Sequence, residues 1–160
     1  MMKRIATVGT FLLISTVVVM LFGGTSPSLA QSTDATCLFL EIRASNDDSG
    51  IDPELKRLKK KLEKPPLSAW KSFKLVAKHE KSLTRMKEQE VDLQLGGKLS
   101  ALLREKTAGK KTRFDLSVAI DNQKGTREVD TKASVAADQF LIFAYDASKE
   151  SGNLLAFTCR

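Results

Sequence analysis

The sequence predicts a mostly β protein, an antiparallel β-sandwich or partly open barrel with one short basic helix inserted after the first strand. Three observations predict it. Apolar and polar residues alternate with period two in short segments from residue 70 to the C-terminus. Clusters of Gly, Asn, Asp and Ser separate those segments. A single stretch, 53–63, carries helical spacing between a capping signal and a Pro-Pro stop.

The first thirty residues stand apart from that pattern. Lys3 and Arg4 are the only charged residues before Asp34, and Phe11 to Phe22 runs through Leu, Ile, Val and Met with only Ser15 and Thr16 interrupting, the layout of a secretory signal. Gly23 and Gly24 then break the helix, and Ser28 and Ala30 place small side chains where a signal peptidase needs them, which predicts a 1–30 signal peptide cleaved before Gln31. The competing reading is a retained anchor, because the apolar run from Ile5 approaches the roughly 17 to 25 residues of a membrane-spanning helix. Lipid attachment at Cys37 is disfavoured, since Asp34-Ala35-Thr36 is not a small apolar box. Cleavage would leave one β-rich domain, 31–160, exported to the periplasm or fully secreted, with no transmembrane segment remaining. Losing Lys3 and Arg4 lowers the formal charge from +7 to +5, a moderately basic balance that specifies no partner.

The two cysteines lie near the ends of the mature chain, and in an oxidising compartment Cys37 and Cys159 are expected to bond. The alternative is a pair of buried thiols. If the first and last strands pair antiparallel, the start of one lies opposite the end of the other, where these cysteines sit. No CxxC motif is present to make a redox site.

Along the chain, residues 38–44 place Leu38, Leu40, Ile42 and Ala44 on one face and Glu41 and Arg43 on the other, a half-buried strand. Ser45 to Gly50 is a run of turn formers. Asp52 as cap, Pro53 at the first helical position and Glu54 in the first turn predict a helix over 53–63, with Leu55, Leu58 and Leu62 as its buried stripe and Pro65-Pro66 as its stop. Strands are then predicted at 70–77, more weakly at 82–87, at 91–95, and at 99–106 after Gly96-Gly97. The clearest is 113–121, joined through Asn122 to Gly125 to a partner at 128–135. The last two, 139–145 and 154–159, are apolar on both faces, which predicts that this pair occupies the centre of the fold.

No catalytic set and no metal set emerges from the residue types. His79 is the only histidine and has no partner that spacing identifies, so an exposed loop or strand-edge position is expected. The acidic stretch Asp47 to Asp52 misses EF-hand spacing and reads as a solvated turn that caps the helix. Trp70 and Phe73, spaced for opposite faces of a strand, offer a ligand platform or core. The most distinctive feature is the helix with its extension, where Lys56, Arg57, Lys59, Lys60, Lys61 and Lys64 face only Glu54 and Glu63. Such a segment lies on anionic lipid or binds a polyanion, or else docks its leucines on the sheet and leaves its lysines solvated. Lys110, Lys111 and Arg113 form a smaller basic group.

Gly50-Ile51-Asp52-Pro53, the leucine-spaced helix and Pro65-Pro66-Leu67-Ser68-Ala69-Trp70-Lys71-Ser72-Phe73-Lys74-Leu75 together resemble a pattern in short exported bacterial proteins. The resemblance implies export and carries over no activity and no site residue. The expectation from the chain as a whole is a non-enzymatic exported binding or interaction module of the bacterial envelope, without cofactor. It would meet a protein partner or an anionic envelope surface rather than nucleic acid. The alternatives are a small carboxylate-dependent hydrolase or a subunit of an export or surface assembly.

Overall fold

The computed structural model describes residues 34–160, so the predicted signal at 1–30 lies outside the described residues. Eight strands, β1 (Ala35–Ser45), β2 (Ser72–Leu83), β3 (Glu88–Asp92), β4 (Lys98–Thr107), β5 (Arg113–Asp121), β6 (Arg127–Ala136), β7 (Leu141–Tyr145) and β8 (Ser151–Cys159), form two four-stranded sheets. The first sheet has the order β2-β1-β8-β7 and the second β3-β4-β5-β6, every pairing antiparallel. The sheets pack as a sandwich and do not close into a barrel, the first of the two arrangements that the strand spacing allowed.

Between the sheets lies one core, in which Phe39, Leu83, Leu99, Leu103, Phe114, Leu116, Ile120 and Phe157 are buried. Phe157 packs on both neighbours, with ring centroids 5.7 Å from Phe39 and 5.9 Å from Phe143. A second apolar cluster covers the other face of the first sheet, where Leu55, Leu58 and Leu62 dock onto Leu40, Ile42, Ala44, Phe73, Phe140, Leu154 and Ala156. The first sheet is therefore covered on both faces and the second on one.

That third layer corrects two expectations about the strands. β1 is buried on both faces, not one: Cys37 and Phe39 point into the inter-sheet core, Leu40 and Ile42 into the outer cluster, and Glu41 is fully buried. Of the apolar C-terminal pair, only β8 is central; β7 forms an edge, and the second central strand is β1.

The segment 53–63 is not one helix. A 3-10 turn at Pro53–Leu55 and a four-residue helix, α1 (Lys59–Leu62), are separated by residues 56–58. The cap is as expected, with the Asp52 carboxylate accepting from Glu54 N at 2.9 Å. Nucleation is costly in so short a segment, and Lys56/Lys60, Arg57/Lys61 and Lys60/Lys64 would put like charges one turn apart on a regular helix. Docking three leucines on the sheet, rather than helical hydrogen bonding, fixes its path.

The two segments expected at 70–77 and 82–87 are one strand, β2. Its register against β1 passes from Glu41↔Ala77 to Ile42↔Leu75, so Val76 is an extra residue, a bulge. The bulge inverts the alternation: Phe73 and Leu75 face the outer cluster, while Leu83 reaches the inter-sheet core. A period-two reading loses phase there. Trp70 precedes the strand and packs, like Phe73, against the outer cluster, so the two do not lie on opposite faces. β3 lies three residues earlier than expected, because Leu93 to Gly97 is the turn into β4. Gly97 is obligatory there: its φ is +98, and a Cβ would lie 2.0 Å from the Asp121 carbonyl oxygen.

β1 and β8 place Cys37 directly opposite Cys159, with Cα atoms 4.1 Å apart and the disulfide formed. Reciprocal 2.9 Å backbone bonds between Thr36 and Arg160 continue the ladder one residue outward. The bridge joins positions 122 apart in sequence. Cys37→Ala with Cys159→Ala is expected to lower unfolding free energy by about 2–5 kcal/mol, measured by urea denaturation. Leu58→Ala or Leu62→Ala should cost about 2–5 kcal/mol in the same assay, because each empties a fully buried site between cover and sheet.

Candidate functional site

The cover over the first sheet carries the cations that the sequence singled out. Because Leu55, Leu58 and Leu62 are consumed in docking, the segment has no apolar face left to enter a lipid bilayer. Its charged side chains all point outward and are exposed. The structure divides them. Lys61 Nζ donates to the Phe140 carbonyl at 2.6 Å, and the Arg57 guanidinium lies 5.3 Å from the centre of the Phe140 ring, so both help to fasten the cover to the sheet. Lys59 pairs with Glu63 at 3.7 Å, and Glu54 is taken by Lys78. Lys56, Lys60 and Lys64 make no ion pair or side-chain hydrogen bond among the described residues.

Beside the cover opens a cleft of about 660 Å³. Ile51, Leu62, Trp70 and Phe73 supply its apolar lining, and Lys56, Lys59 and Lys71 bring cations to it. Two carboxylates also line it, both engaged: Asp52 accepts from Glu54 N at 2.9 Å and from Leu75 N at 3.3 Å, and Glu63 pairs with Lys59. Trp70 is half-buried, and its Nε1, shielded from solvent, has no acceptor among the described residues. The ring sits against Gly152, where a Cβ would come within 2.8 Å of Trp70 Cζ2, so the glycine makes room for the indole. The sequence offered Trp70 as platform or core; the structure packs it against the outer cluster and leaves it lining the cleft.

The remaining acids near the cleft serve the backbone. The Asp47 carboxyl is held well below its usual range by hydrogen bonds first to Ser49 and then to Ser45, and Asp48 lies 3.6 Å from Lys71. Among the described residues no group of three His, Cys, Asp or Glu could hold a metal. The Lys110, Lys111 and Arg113 group belongs to the β4–β5 connection of the other sheet and does not join the cover.

The polar centre that sequence reading missed lies between the sheets. Glu41, expected on a solvated face, is fully buried and reaches across to the β3–β4 turn, accepting from Gln94 N at 3.0 Å and Leu95 N at 2.8 Å. His79, expected in an exposed loop or at a strand edge, lies on the edge strand β2, but its ring is turned inward, 2.5 Å from the same carboxylate with 19% of its side chain exposed. The signal was present: Cys37 to Ile42 is apolar at every position but Glu41, the pattern of a strand covered on both faces. Three donors satisfy a charge that would otherwise be expensive to bury, and in doing so tie the two sheets together. Tyr145 lies in the same region, its phenol pushed up by burial and, secondarily, by the Glu41 charge, with no partner for its hydroxyl among the described residues.

No family model, curated protein or solved structure matches the chain, so the geometry alone carries the functional argument.

Glu41→Gln keeps the shape but turns one acceptor into a donor facing other donors. It is expected to lower stability by about 2–4 kcal/mol in urea denaturation and to speed amide exchange at Gln94 and Leu95. The raised Tyr145 pKa makes stability, complete below about pH 10 where the unfolded phenol ionises, fall as pH rises beyond it. Tyr145→Phe is expected to flatten that alkaline loss in pH-dependent denaturation while keeping or slightly raising stability at pH 7.

Proposed function

We propose that the protein is a non-catalytic binding module working outside the cytoplasm, and that the cleft beside Trp70 receives an anionic ligand with an apolar portion. The observation that carries this reading is an apolar lining and a cationic margin in one concavity: Ile51, Leu62, Trp70 and Phe73 inside, with Lys56 and Lys71 at its side. An acidic group would meet Lys56, which has no carboxylate partner among the described residues, and Lys71, whose partner Asp48 is exposed and 3.6 Å away. A disulfide between the two central strands accords with an oxidising compartment. Lys60 and Lys64 extend the positive field along the cover and favour the approach of acidic partners.

Trp70 is the only tryptophan, so its emission reports on the cleft directly. Titration with dodecanoate below its micelle concentration is expected to give a saturable change in Trp70 emission. The matched cationic amphiphile dodecyltrimethylammonium should give none. Raising salt, or substituting Lys56→Glu with Lys71→Glu, should weaken dodecanoate binding at least fivefold. An emission unmoved by dodecanoate at low salt would remove the basis for the reading.

A further inference from the structure

We propose that the pole of the sandwich from which β1 starts is a docking surface for anionic lipid headgroups, a site separate from the cleft and independent of it. The topology gathers three connections at this pole. Asp34, immediately before β1, accepts from Arg85 N at 2.7 Å in the β2–β3 turn and, through its carbonyl, from Lys106 Nζ at 2.8 Å at the end of β4. Ala137 N donates to the Thr112 carbonyl at 2.8 Å, and Asp138 N to the Cys159 carbonyl at 3.1 Å, which brings the β6–β7 connection and the C-terminus alongside.

The two poles differ in charge. At this one the β2–β3 turn, 84–87, presents Arg85 and Lys87, and the β4–β5 connection, 108–112, presents Lys110 and Lys111; neither contains an acid. Lys110 and Lys111 are exposed and make no ion pair among the described residues. The acids nearby are Asp138 in the β6–β7 connection and Glu105 and Asp115, which line a recess with Met86, Arg104 and Lys132; Glu80 is taken by Arg160 at 2.7 Å. The opposite pole is mixed: the turns after β1 and β7 carry Asp47, Asp48, Asp146 and Glu150 against Lys149, with Lys71 paired to Asp48 and Lys124 in the β5–β6 turn.

An apolar group stands among the cations. Met86 is 70% exposed, against 37% for Val76, the other exposed large hydrophobic residue among those described. Its φ of +59 is unusual for a side chain of this size, and Met86 N donates to the Leu103 carbonyl at 2.8 Å, which fixes the turn with the thioether outward. A flexible apolar side chain between Arg85 and Lys87 suits the boundary between headgroups and acyl chains, where cations meet phosphate and methionine enters the apolar margin.

The full chain reconstituted in vesicles tests this surface, with lysine acetylation and methionine oxidation read by mass spectrometry. In vesicles containing phosphatidylglycerol, Lys110, Lys111 and Met86 should react at least threefold more slowly than in pure phosphatidylcholine. Lys124 and Lys149 should be unchanged, and half-molar salt should remove the protection. Lys110→Glu with Lys111→Glu, whose exposed positions leave the core intact, should abolish protection of Met86 while circular dichroism stays constant. Equal reactivity in the two vesicles would overturn the proposal. Protection confined to Lys56, Lys60 and Lys64 would also overturn it, and would instead place the cover on the bilayer; neither result bears on dodecanoate binding in the cleft.

Discussion

The antiparallel pairing of β1 with β8 is the constraint on which the rest of the structure depends. It joins the first strand of the fold to the last, places both in the middle of one sheet and brings Cys37 opposite Cys159. Every other element hangs from that pair. β2 and β7 pair with its outer edges, the second sheet packs on one face, and residues 53–69 cover the other. Contacts so distant in sequence carry a large loop-closure cost in the unfolded chain, which a covalent link between the same two strands reduces.

A strand covered on both faces has no natural place for a carboxylate, yet Glu41 sits in the middle of β1. Its partners explain why it is tolerated. Two come from the backbone of the β3–β4 turn in the opposite sheet and one from β2 in its own, so the charge is satisfied only when both sheets are in place. An apolar residue would pack at least as well, but would not hold the turn. The carboxylate–imidazole pair thus resembles part of a catalytic set in composition, while both carboxylate oxygens are engaged in joining the two sheets.

The same economy governs the basic segment. Amphipathic sequence invites a membrane reading, but a leucine stripe can be buried only once, and here it is buried against the sheet. What remains to the solvent is charge, together with a cleft whose apolar lining comes from a different set of side chains. Surface chemistry is thereby separated into two regions, the cleft beside Trp70 and the cation-bearing turns at the pole from which β1 starts.

Much of the fold was legible in the sequence, because the signals that specify it are local. Alternation marked β4, β5 and β6, turn residues marked the hairpins, and terminal cysteines on the first and last strands pointed to their union. What escaped were features decided by partners remote in sequence. The bulge at Val76 broke the alternation of β2, tertiary docking overrode the helical spacing of 53–63, and burial of Glu41 depended on His79 and on a turn 53 residues away. The six cations of the cover could be named from sequence, but which are fastened and which remain available follows from where Phe140 and Glu63 lie. Sequence by itself determined the β class, the strands β4, β5 and β6 with their turns, and the leucine stripe of 53–63, since each depends on backbone preference and hydrophobic period. Tertiary structure alone decided which faces meet, because burial is a property of two surfaces and each strand encodes only one of them.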